Sequence, residues 1–212
     1  MNKLSVVLIV IFLSSSLNAQ IINISERQYF KQFDWEVTSS IALGLSGTSI
    51  ENTLPDYYGY GSGNEEFYSE ISLSLGFFIL DGFSFEPELD YNFFSDDATF
   101  SLIANVSYTI NIPRKSIYPY FKVGYGKSGY TAYNYGYSPD NSEGLFESLD
   151  ANVINAGAGL KIIQSSTFAM RLELNYKYIN YNQTIVTPYT DSYDMSAKTS
   201  VLSLKFGGSF LF

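Results

Sequence analysis

Charged residues recur at alternate positions in runs that otherwise carry little charge. Glu36, Glu70, Glu86, Glu88 and Asp90 come early; Lys122, Lys161, Arg171, Lys177 and Lys205 come late, with Glu173 among the late bases. Acids and bases segregated in this way can do two kinds of chemistry once folding brings them together. They pair as buried salt bridges, or they ring a pore and select ions. Acid–base or nucleophilic catalysis is poorly served, because the 212 residues include no His and no Cys. The missing imidazole removes the usual general base at neutral pH and the commonest metal ligand. The missing thiol removes disulfides and thiolate metal sites. A net charge of −9, from 21 acids and 12 bases with no basic run, argues against nucleic acid as a partner, since phosphate neutralisation needs clustered Lys and Arg.

Two short segments imitate ligand sites and fail on inspection. Gly124-Tyr125-Gly126-Lys127-Ser128 has the ending of a phosphate-binding loop, but Phe121 stands where the opening Gly belongs, and no strand-to-helix context surrounds it. Asp140-Asn141-Ser142-Glu143-Gly144 lacks the full ligand run and terminal Glu of a Ca²⁺ loop, and reads as a solvated acidic loop. No cofactor is expected.

The elements that must position the charges are strands. Aromatics reach 17%, with 19 Tyr and 17 Phe, while mean hydropathy stays near zero at +0.01; sheets with one apolar and one polar face give that combination. Period-2 alternation occurs in eight runs. In the second, Phe67, Ile71, Leu73, Leu75, Phe77 and Ile79 alternate with Glu70, Ser72, Ser74 and Gly76. In the seventh, Phe168, Met170, Leu172, Leu174, Tyr176 and Tyr178 alternate with Arg171, Glu173, Asn175 and Lys177. Tight turns are expected at Asp81-Gly82, Pro113-Arg114-Lys115 and Gln164-Ser165-Ser166, and long Tyr-, Gly-, Asn- and Asp-rich loops at 48–66, 131–150 and 180–197. Short turns on one side and long loops on the other is the arrangement of an all-β, eight-stranded antiparallel transmembrane up-and-down β-barrel.

Residues 1–19 read as a signal peptide: Lys3, then a largely apolar stretch from Leu4 to Leu13, then mostly small residues ending at Ala19. The apolar stretch is short for a bilayer span. Residues 20–34 are expected to be a periplasmic segment and 35–212 the barrel. Alternation alone also allows a soluble lipocalin-type carrier with its greasy face inside. Two features favour lipid outside: eight strands leave room only for side chains, and the polar face is largely Gly, Ser, Thr and Asn. The apolar faces of these runs carry no charge, which at the midplane would cost ~2–4 kcal/mol. Strands one and five, two and six, and three and seven would then face each other. The charges are expected to bridge the lumen as ion pairs centred on Glu86 and Glu88 with Arg171 and Lys205.

The last residues carry a resemblance. Lys205, Gly207, Phe210 and Phe212 fill the polar, Gly and two aromatic places of the terminal β-signal of bacterial outer-membrane barrels. Tyr118–Gly126, Asn155–Lys161 and Met170–Tyr178 are similar to later strands of small eight-stranded barrels of the OmpA-barrel, OmpX and OmpW kind. The resemblance implies an outer-membrane location in a Gram-negative cell and the barrel assembly machinery as folding partner. Barrel enzymes of this membrane depend as families on a His, so no enzymatic activity is expected. Outer-membrane lipid and lipopolysaccharide are the expected surroundings, with loop acids sharing divalent cations with lipopolysaccharide phosphates. Tyr57, Tyr58, Tyr60, Tyr130, Tyr133, Tyr135 and Tyr137 offer a contact surface for an extracellular ligand. The expected role is structural and surface-interacting; the alternative is a small porin-like barrel passing hydrophobic or ionic solutes.

Overall fold

The computed structural model describes residues 30–52, 65–93, 98–112, 115–130, 151–185 and 193–212. Eight strands form: β1 (Trp35–Asn52), β2 (Glu65–Leu80), β3 (Phe83–Phe93), β4 (Ala98–Thr109), β5 (Ile117–Tyr130), β6 (Ala151–Ile163), β7 (Phe168–Ile185) and β8 (Tyr193–Leu211). Each pairs antiparallel with its sequence neighbours, and β8 returns to β1, so the sheet is a closed up-and-down barrel. Closure leaves no open edge in hydrocarbon, where an unpaired backbone group would find no water.

The register sets the barrel's pitch. Paired residues run Ser39, Leu73, Leu89, Leu102, Lys127, Asn152, Asn180 and Lys198, and the circuit re-enters β1 at Ser49. Rungs therefore climb ten residues per circuit, which tilts the strands by about 40°. Along β2 the outward apolar residues run from Phe67 to Ile79. At about 3.3 Å per residue and this tilt, the belt is about 30 Å tall, enough to cross a bilayer's hydrocarbon.

Alternation fixes the faces as the sequence predicts. Leu43, Leu73, Leu174 and Leu204 face out, while Thr38, Ser72, Asn175 and Ser203 are buried inside. Aromatic pairs mark the lower rim at Trp35–Phe77 (4.7 Å) and Phe168–Phe210 (5.3 Å), and the upper rim at Tyr91–Phe93 (4.7 Å). The β2–β3 turn closes on Gly82 at φ 78°, a left-handed conformation that Gly adopts without a Cβ clash. The turn at Gln164–Ser166 is held by Gln164 and Ser165 amides donating to the Phe168 carbonyl. Residues 113–114 of the third expected turn lie outside the described residues.

Candidate functional site: the charged lumen

Because strands alternate, every second residue enters a lumen only wide enough for side chains. All eleven charges assigned to the inner face are buried there: six carboxylates and five cations. On β3, Glu86, Glu88 and Asp90 rise on successive inward positions; on β7, Arg171, Glu173, Asn175 and Lys177 do the same. Burial without partners would be costly.

Nine of these groups form one alternating ladder. Glu86 meets Arg171 (2.6 Å), and Arg171 meets Glu173 (3.5 Å). Lys122 bridges Glu173 (3.0 Å) and Glu88 (2.7 Å). Lys205 bridges Glu88 (2.5 Å) and Glu70 (2.6 Å), and Lys177 bridges Glu70 and Asp90 at 2.5 Å each. The ladder begins and ends on an acid. Below it Glu36 pairs with Lys161 at 2.5 Å, and the Tyr120 ring lies between, 5.3 Å from the Lys161 ammonium and 4.7 Å from the Arg171 guanidinium.

Neutral groups tie the ladder to the walls. Asn105 donates to Glu88 (3.1 Å), Asn155 to Asn105 (2.8 Å), Asn175 to Asn155 (2.8 Å) and to Glu173 (2.9 Å). This amide chain is a second path between two carboxylates that Lys122 already joins. Tyr120 donates to Glu173 (2.5 Å), Ser74 to Glu86 (2.7 Å), and the Tyr68 hydroxyl sits between Glu70 and Asn92. Hydrogen bonds to a charge are roughly twice as strong as neutral ones.

Glu70, Glu88 and Asp90 bring carboxylate oxygens within 4.8 Å of one another. The ammonium groups of Lys177 and Lys205 bind all three of these side chains, so the protein's own cations stand where a metal ion would. A central cavity of about 10 Å³ borders Thr38, Ser72, Ser74 and Tyr120, room for about one water.

Of the expected pairs, Glu86–Arg171 and Glu88–Lys205 form. The expected facing of strands holds for β3 and β7 but not generally: Glu36 on β1 reaches Lys161 on β6, and Glu70 on β2 reaches β7 and β8. The lumen is narrow enough that long Lys and Arg stems reach strands other than the one directly opposite, and the climb of the rungs sets which residues share a height. Sequence reading had no role for Tyr68, Tyr120, Asn105 and Asn155, although each falls in phase with the inward charges.

At the chain's end, Lys205 lies in the ladder, Gly207 faces in, and Phe210 and Phe212 face out. Gly124–Ser128 lies within β5 as extended strand, so it cradles no phosphate. Lys127 there faces outward, a charged position on the otherwise apolar face. Tyr130 ends β5. Tyr57, Tyr58, Tyr60, Tyr133, Tyr135, Tyr137, the acidic 140–144 segment and residues 1–29 lie outside the described residues.

No family model matches the chain, and no curated protein matches its sequence. Solved structures do. The outer membrane protein OprG from Pseudomonas aeruginosa is 11% identical with a TM-score of 0.51, covering 86% of this chain and 97% of its own. Neisserial surface protein A is 14% identical with a TM-score of 0.48, over 83% and 96%. The outer membrane enzyme PagL is 15% identical with a TM-score of 0.48, over 80% and 97%. The first of these establishes the fold as that of a small outer-membrane barrel. An apolar exterior on that fold places the chain in the outer membrane. Fold by itself leaves activity open.

Proposed function

We propose that this protein is a closed outer-membrane barrel whose role is structural and surface-interacting, with no through-channel and no catalytic step. The observation that carries this reading is the alternating ladder from Glu86 to Asp90, which fills the lumen with paired charges. A selectivity ring needs charges that face water and exchange ions; these are buried and bound to each other. Wide aqueous channels belong to much larger barrels. The rim remains as the working surface, and its Tyr-rich, acidic loops are the proposed contact for an extracellular ligand and for lipopolysaccharide through bridging cations.

Residues 1–19 serve in this reading as the export signal, and Lys205, Gly207, Phe210 and Phe212 as the segment read by the barrel assembly machinery. Lys205 would then be read during assembly and buried afterwards.

Planar-bilayer recording tests the closure. The unaltered protein is expected to give no steady conductance steps. Steady channels that vanish in Glu86→Gln/Glu88→Gln would overturn the reading and favour a small transport barrel.

A further inference from the structure

We propose that residues 30–34 form a strap that seals the short-turn, periplasmic mouth of the barrel, with Phe30 as its stopper. Five barrel residues, Phe78, Tyr118, Ile163, Ala169 and Leu211, form an apolar cluster with Phe30. They come from the ends of β2, β5, β6, β7 and β8 that meet at this mouth. Phe30 is only 1% exposed although it precedes the first strand. Its ring centre lies 5.5 Å from that of Phe78 and 5.2 Å from that of Tyr118. Above it sits the Lys161 ammonium, 4.8 Å from the Phe30 ring centre and 5.3 Å from Phe78, an arrangement in which a cation is attracted to aromatic faces.

The backbone is tied as closely as the ring. Gly82 donates to the Phe30 carbonyl (2.8 Å), Phe33 to the Phe78 carbonyl (2.7 Å), and Phe78 to the Asp34 carbonyl (3.0 Å). The Gln32 amide donates to Asp81 (2.9 Å), and the Lys31 amide to Asp34 (2.9 Å). Phe30 and Phe33 stand at φ 59° and 73°, a region bulky residues occupy only where surrounding contacts hold them. The reversal puts the two rings on opposite sides of the wall. Phe30 enters the mouth, while Phe33 is 67% exposed and lies 6.3 Å from Phe77 on the outer rim. A strap anchored inside and outside, and hydrogen-bonded to the β2–β3 turn, is built to stay shut.

This closure is independent of the ladder, and its test reads a different place. The chain has no Cys, so Ala169→Cys puts a single thiol in the cluster. Refolding into lipid micelles is checked by the electrophoretic shift between unheated and boiled samples. Modification by a charged methanethiosulfonate is expected to be at least about tenfold faster when Phe30→Gly is added, because the stopper then opens locally. Equal rates in the two proteins would overturn the proposal. Amide hydrogen exchange on the unaltered protein gives a second measurement. Gly82 and Phe33 are expected to exchange about 100-fold slower than in an unfolded chain; unprotected exchange at both would overturn the strap without touching the ladder, whose readout is conductance.

Discussion

The middle of the lumen and its floor exclude water by opposite means. In the middle, closure comes from charge: the acids of the ladder alternate with Arg171, Lys122, Lys205 and Lys177, and each of these four cations touches two or more acids. At the floor, closure comes from apolar surface: Phe30 among five side chains at the strand ends. The ladder belongs to strands whose hydrogen bonds close the barrel, so disturbing it strains the whole. The floor is completed by a short strap outside the strands, whose proposed undocking would leave the strand ladder paired. Lys161 joins the two regimes, paired to Glu36 and set over the rings of Phe30 and Phe78.

The comparison breaks most readily at Lys205. Lys205→Met leaves Glu70 and Glu88 each short of a cation, and stability to urea in lipid micelles should fall by about 3–5 kcal/mol, the cost of an uncompensated buried charge. A loss below 1 kcal/mol would mean that water already screens the ladder. Next in size is the outer wall, which separates burial in lipid from burial in the lumen. Leu73 is outward on β2, near mid-belt, and Leu73→Arg should cost ~2–4 kcal/mol in refolding from urea. Tolerance of that charge would undo the assignment of faces. The smallest global effect belongs to the floor. A buried Phe→Ala change ordinarily costs ~3–5 kcal/mol, but a strap that undocks alone caps its own contribution. Phe30→Ala should therefore shift global stability by no more than about 2.7 kcal/mol, the equivalent of the hundredfold protection expected of the docked strap, while opening the mouth to thiol reagents. A full-sized loss would show that strap and barrel unfold together.

Much of this was legible in the chain because each strand sees lipid on one side and a crowded polar lumen on the other. Phe67 through Ile79 against Glu70 through Gly76 leaves one way to face. The identities of the pairs were less legible. Glu36 finding Lys161, or Lys205 holding both Glu70 and Glu88, depends on how far the rungs climb, a property of the closed sheet that no single strand displays. The floor left a signal that alternation alone does not interpret: Phe78, Tyr118, Ile163 and Leu211 are apolar residues in phase with the polar face, all at one end of their strands. Phe30 left less, since it stands before any periodic run and is placed by a left-handed turn.

The seam between β1 and β8 runs from Glu36–Leu211 up to Asn52–Met195. It joins the two ends of the sequence, so its pairing is among the longest-range contacts the chain makes. A nascent barrel therefore presents two complementary raw edges until its last strand exists, and local contacts cannot close it sooner. Until β8 meets β1, a curled sheet would carry bare amides on both flanks into the hydrocarbon, so the seam is what makes the wall fit for lipid.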